Sequence, residues 1–224
     1  MGKTFVLVHG AWHGGWCWRR VTDRLAVKGH RVYAPTLTGV ADRSHLLAES
    51  VNLSTHVTDI VNLIRWEEMK DIVLVGHSYG GMVVTGVADK LSERIAALVY
   101  LDAFLPESGQ SMQDLRPREL PHQFTMPPIS AETFRVNERD RPWVDRLCTP
   151  HPIACMTEKL ALTGAYRAVR RKVYIRAANY PSPAFEPTYE RVKADPGWTA
   201  HQLPCGHDVM IDMPDALAEI LEAA

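Results

Sequence analysis

The sequence predicts an α/β fold built on a mostly parallel six-stranded sheet flanked by helices, and three observations predict it. Short apolar β-branched runs alternate with segments of helical period, the pattern of strands joined by crossover helices. Several of those runs are apolar at consecutive positions, which requires helices on both faces of the sheet. No apolar run approaches the roughly 20 residues that span a bilayer. At 224 residues the chain suffices for one domain, since a fold of this size buries roughly 70% of its unfolded surface.

Thr4 to Val8, Arg31 to Tyr33, Asp71 to Val75, Ile95 to Leu101, Lys172 to Ala177 and Thr199 to Leu203 read as the six strands. Helices fit between them. Trp16 to Lys28 carries Trp18, Val21 and Leu25 on one stripe, and Ser54 to Trp66 carries Val57, Ile60, Val61 and Ile64, with Ser54 or Thr55 placed to cap it. Tyr79 to Leu91 carries Met82, Val83, Val87 and Leu91, while Pro214 stands near the start of a last helix with Leu217, Ile220 and Leu221 inward. From Pro106 to Gly164 the strand rhythm stops. Prolines divide that stretch into short pieces, and Leu115, Phe124, Phe134, Trp143, Val144 and Leu147 can bury a face. It reads as a helical lid inserted into a single domain, 1–224.

Lys and Arg number 25 against 26 Asp and Glu, a net charge of -1 with both signs interspersed. Nucleic acid and anionic membranes need clustered cations, so neither is expected as a partner. The N-terminus has no basic and long apolar leader, so a cytoplasmic location is expected. The four cysteines, Cys17, Cys148, Cys155 and Cys205, lack CxxC or metal-ligand spacing and read as reduced, packed thiols. No metal or organic cofactor is expected; a homodimer is the assembly left open.

The strongest chemical signal is Gly76-His77-Ser78-Tyr79-Gly80-Gly81, between a strand and a helix. G-x-S-x-G alone occurs by chance, but in this context it is a nucleophile elbow, with Ser78 on a strained turn and glycines where side chains would collide. A serine hydroxyl needs a base, normally a histidine oriented by a carboxylate, in the chain order serine, acid, histidine. His207 follows the last strand, whereas His122 and His151 belong to the insertion and His201 to a strand; His207 is the expected base. The usual place for the acid, after Lys172 to Ala177, reads Ala177-Ala178-Asn179-Tyr180-Pro181-Ser182-Pro183 and holds no carboxylate. Asp102, ending the neighbouring strand, is favoured over Glu186; Asp208, next to the base, would diverge from it.

Val8-His9-Gly10-Ala11-Trp12-His13-Gly14-Gly15-Trp16 follows the first strand, where the second oxyanion donor lies in such a site. Ala11 and Tyr79 N–H groups are the expected pair. A dinucleotide-binding turn is the rival, but G-x-G-x-x-G is missing. With Asp102-Ala103-Phe104-Leu105-Pro106, these motifs resemble the α/β-hydrolase superfamily, in the branch of plant methylesterases, hydroxynitrile lyases and related bacterial esterases. The resemblance covers nearly the whole chain outside the lid. It implies the α/β-hydrolase fold, Ser78 as nucleophile, His207 as base and an oxyanion hole of Ala11 and Tyr79. The chain departs from the family in having no carboxylate after the penultimate strand, so the acid rests on the residues themselves, where Asp102 is favoured. The lyases of this branch resemble a variant with Thr for Gly10, Glu for His77 and Lys for Asp208; this chain has none of the three, which favours ester cleavage.

The expected function is therefore hydrolysis of a small, largely apolar carboxylic ester by a serine esterase through an acyl-enzyme. Trp12, His13, Phe104, Leu105 and Trp143 are the expected substrate contacts. A ligand receptor on the same scaffold and a cofactor-free C–C bond-cleaving enzyme are the alternatives.

Overall fold

A computed structural model describes residues 2–224. Its first half alternates β1 (Thr4–Val8), α1 (Arg19–Val27), β2 (Arg31–Tyr33), α2 (Leu53–Trp66), β3 (Ile72–His77), α3 (Gly80–Leu91) and β4 (Ile95–Leu101). An insertion follows, holding α4 (Met112–Leu115), β5 (Thr125–Met126), α5 (Arg141–Leu147), β6 (His151–Pro152) and α6 (Ala154–Thr157). The main unit resumes with β7 (Arg171–Ala177), α7 (Phe185–Lys193), β8 (Thr199–Leu203), α8 (Val209–Asp212) and α9 (Pro214–Ala223).

Six strands form one sheet in the order β2-β1-β3-β4-β7-β8, and every pairing in it is parallel. The continuous apolar runs find their reason here: all six residues of β3 are buried, as are Phe5 to Val8 of β1. The edge strand β8 is only partly covered, and its sequence, with His201 and Gln202, is correspondingly polar.

Three local readings are corrected. The cap of α2 is Asn52, whose side chain accepts from Thr55 N–H while Thr55 returns the bond, so Ser54 and Thr55 lie inside the helix. The sequence pattern passes over α7, because Pro181, Pro183 and Pro187 crowd its start, yet Phe185, Tyr189 and Val192 form a buried stripe at helical spacing. The insertion is not wholly helical: β5 and β6 pair as a two-residue antiparallel ribbon. Its Phe134 and Val144 are buried against the main core, whereas Phe124 is exposed. All four cysteines are free and buried, and burial raises their thiol pKa values. Among the described residues no helix is long and apolar enough to cross a membrane.

The sheet sets two chain exits side by side. His77 pairs with Leu101, and Leu101 with Ile175, so the residues following β3 and β4 emerge next to each other at the carboxyl edge. Ser78 N–H donates to Leu101 O at 3.2 Å, and Asp102 N–H donates to Ile175 O at 2.7 Å. Crevices at this edge are where open parallel sheets place ligands.

Candidate active site

Ser78 stands between β3 and α3 with φ 52°, a left-handed conformation that non-glycine residues seldom adopt. Its neighbours hold it there. A Cβ at Gly76 would fall 2.6 Å from both Gly80 O and Val84 Cγ2, and one at Gly80 would fall 2.7 Å from Val8 O. The first turn of α3 therefore packs directly on β1 and β3. Gly80→Ala is expected to lose about 2 kcal/mol by overpacking, a Tm decrease of roughly 4–8 °C in a thermal melt.

Asp102 also has a left-handed backbone, φ 42°. Its Oδ2 accepts from His207 Nδ1 at 2.6 Å, and its Oδ1 accepts from Arg176 Nη1 at 2.6 Å and from Ala177 N–H at 3.1 Å. With Nδ1–H given to a carboxylate, His207 keeps the lone pair on Nε2. No hydrogen bond joins His207 Nε2 and Ser78 Oγ to each other or to any described group, so both are uncommitted. The His207 ring is held between aromatic neighbours, with Tyr180 stacked at 4.5 Å and Phe185 at 5.6 Å, and the backbone N–H of His207 donates to Phe134 O of the insertion at 2.8 Å. His77, the residue before the serine, bonds the carbonyl of His207 through Nε2 at 3.0 Å.

Arg176 is the part of this site that sequence reasoning missed. It is only 1% exposed, and it gives hydrogen bonds to Asp102, to the carbonyls of Ala177 and Tyr180, each at 2.5 Å, and to Glu186 at 3.1 Å. Glu186, the competing acid, thus ends on the far side of Arg176 and not on His207. The available signal was a lone arginine inside the apolar strand Val173-Tyr174-Ile175-Arg176-Ala177, which parallel packing would bury beside a charge.

The loop after β1 presses on the elbow, for a Cβ at Gly10 would lie 3.0 Å from Ser78 Cβ. Among the described residues neither Ala11 N–H nor Tyr79 N–H has an acceptor. Trp12 follows with φ 68°, tethered by Nε1–H to Met126 O at 3.1 Å and by its carbonyl to Thr149 N–H at 2.9 Å, both in the insertion.

Of the expected substrate contacts, Trp12 and Phe104 adjoin this cluster, Phe104 packing edge-on against Phe185 at 4.9 Å. Two others do not. Leu105 lines a separate cavity of about 230 Å³ with Tyr166, Arg191 and Trp198, because the chain has turned past the sheet edge by then. Trp143 packs on Trp16 and lies under Arg20, one layer further out than His13. His13 is committed to Asp208, at 3.0 Å. Sequence reading also passed over Arg118, whose guanidinium lies over the Trp12 ring at 5.8 Å with no carboxylate partner among the described residues.

Histidines crowd the site. His56, His151 and Cys155 place ligand-type atoms within 4.8 Å of one another. However, His56 has already engaged both nitrogens, with Tyr79 Oη at 3.0 Å and Thr38 O at 2.8 Å, so it could ligate an ion only by breaking one of these bonds. Burial lowers the pKa of His9 to about 3 and those of His77 and His151 well below the ordinary imidazole value. These three are neutral when folded but protonate near 6.5 when unfolded, so the unfolded chain takes up more protons as pH falls. Stability present above pH 6.5 is then lost on acidification, by roughly 4 kcal/mol for the three between pH 6 and pH 5. Chemical denaturation at the two pH values checks this.

A model of the α/β hydrolase family matches residues 5–220. The chain belongs to the α/β hydrolase family. Over 98% of its length this α/β hydrolase is 47% identical to a carbendazim hydrolyzing esterase of Nocardioides sp. (strain SG-4G), covering 98% of that protein. It is 37% identical to salicylic acid-binding protein 2 of Nicotiana tabacum over 48% of this chain and 42% of the other. Among solved structures, an extracellular α/β-hydrolase from a Paenibacillus species superimposes with a TM-score of 0.84 at 24% identity, covering 99% of this chain and 98% of that one, which speaks for the fold. With an esterase as a full-length relative, this α/β hydrolase is a carboxylic ester hydrolase.

Proposed function

We propose that this enzyme cleaves small, largely apolar carboxylic esters through an acyl-enzyme on Ser78. The observation that carries the proposal is the 2.6 Å bond from His207 Nδ1 to Asp102, with the His207 carbonyl held by His77, the residue before an elbow serine whose hydroxyl bonds no described group. His207 Nε2 takes the Ser78 proton as Oγ attacks the ester carbonyl. The oxyanion that forms is held by Ala11 and Tyr79 N–H, aided by the N-terminal end of α3. His207 then protonates the leaving alcohol, and a water molecule, deprotonated in turn by His207, releases the acid. Asp102 holds the imidazole in the required tautomer and stabilises its protonated form.

Trp12, Phe104 and Phe185 supply apolar surface near the reacting groups, and Arg118 adds a donor over Trp12 suited to a carbonyl or ring nitrogen on the substrate. The insertion acts as a lid, since Trp12 and His207 both take hydrogen bonds from it or give them to it. A fluorophosphonate should label Ser78 at one equivalent and remove hydrolysis of a panel of short p-nitrophenyl esters and carbendazim. Full labelling elsewhere, or hydrolysis that survives labelling of Ser78, would overturn the assignment.

A further inference from the structure

Acyl transfer as described leaves one buried charge pair unused. His13 Nε2 lies 3.0 Å from Asp208 Oδ2, and His13 Nδ1 lies 2.9 Å from the carbonyl oxygen of Ala11. The two residues are 1% and 0% exposed. A neutral imidazole has one N–H, yet here both ring nitrogens face oxygen acceptors, so only the imidazolium satisfies both. Burial alone would drive His13 to neutrality, but the charge and hydrogen bond of Asp208, with the Ala11 carbonyl, outweigh it and hold the pKa above the ordinary value. Burial likewise opposes ionisation of Asp208, and His13 overrides it, leaving that carboxyl at about 2.

The pair joins two parts of the site. Asp208 directly follows His207, while His13 reaches back across the left-handed Trp12 to the peptide of Ala11. A bulky residue in that conformation costs on the order of 1–3 kcal/mol and persists only where its surroundings fix it. Around the pair stand Trp16, stacked on His13 at 5.3 Å, Phe134 at 5.7 Å and His77, whose Nε2 is 3.8 Å from Asp208 Oδ1. The other titratable neighbours are His9, His151, Cys17, Cys148 and His207. Burial keeps His9, His77 and His151 uncharged and the two thiols protonated, so none of these five can replace either member of the pair.

We propose that the His13–Asp208 pair is a positioning brace, in which a doubly protonated His13 holds the Ala11 carbonyl, and through the Ala11 Cα the N–H on its other side, against the loop that carries His207. His13 is then a positioning residue and not a pocket contact. The inference rests on the reading of Ala11 as an oxyanion donor. Because that donor acts on charge developing in the transition state, loosening it lowers kcat more than it raises KM.

Asp208→Asn keeps an acceptor for one His13 N–H but removes the charge that favours the second. Its kcat should fall about 10- to 100-fold, less than the roughly 100- to 1000-fold that outright loss of one oxyanion donor costs, with KM changed less than about threefold. The alkaline fall of its kcat profile should begin at least one pH unit lower than in the parent enzyme, whereas a variant that merely packs badly would keep the parent profile. The ¹⁵N resonances of His13 in the unmodified enzyme give a second reading that needs no substitution: both nitrogens should be protonated at pH 7.5. A neutral His13 there would overturn the brace, as would an Asp208→Asn enzyme with parental kcat and pH profile. Fluorophosphonate labelling of Ser78 in the same samples separates the two ideas, since the brace can fail while the labelled serine stands.

Discussion

Alanine in place of Ser78 is expected to lower kcat for a short p-nitrophenyl ester by about 10⁶-fold, the loss typical of removing a triad nucleophile. What remains should be the acceleration that oxyanion donors and substrate binding give without covalent chemistry, about 10³- to 10⁴-fold over water. The change deletes a single oxygen that bonds no described residue, so the α3 packing that sets φ at 52° is untouched and the variant should melt with the parent. Steady-state rates on protein of matched circular dichroism provide the measurement. Loss of less than about 10³-fold would mean that another group attacks the ester.

Asp102→Asn should cost about 10⁴-fold in kcat, because an amide can bond the wrong tautomer of His207. Asparagine is the right replacement, since it tolerates the left-handed backbone at this position better than alanine does. Glu186→Gln is the control, and it should change kcat less than about threefold, because its carboxylate is 55% exposed and meets only Arg176. Equal losses in the two variants would remove Asp102 from its role. Combined with Ser78→Ala, Asp102→Asn should cost little more, since the residues act as a unit.

The parts of this molecule legible in its sequence are those fixed by local pattern. Consecutive apolar residues give β1, β3 and β4, and Gly76 with Gly80 around Ser78 gives the elbow, since a tight turn leaves no other residue small enough. Asp102 could be favoured only by elimination, because its meeting with His207 spans 105 positions and depends on β4 lying between β3 and β7. The pairing of His13 with Asp208 and the burial of Arg176 are long-range in the same way. Leu105 and Trp143 mislead for a related reason: apolar character says that a side chain seeks cover but not which cavity supplies it. In α7, three prolines conceal a helix that burial of Phe185, Tyr189 and Val192 stabilises regardless.

Arg176 ties Asp102, the proposed acid, to the stability of the chain. A buried guanidinium that loses its carboxylate typically destabilises a fold by about 3–5 kcal/mol, a large part of what holds any domain of this size together. Removing the Asp102 carboxylate would leave this buried guanidinium with only the half-exposed Glu186 as counterion, and losing Arg176 would leave Asp102 Oδ1 with Ala177 N–H alone. The two positions, 74 apart in sequence, are thereby coupled in stability, so that the cost of changing one depends on what stands at the other.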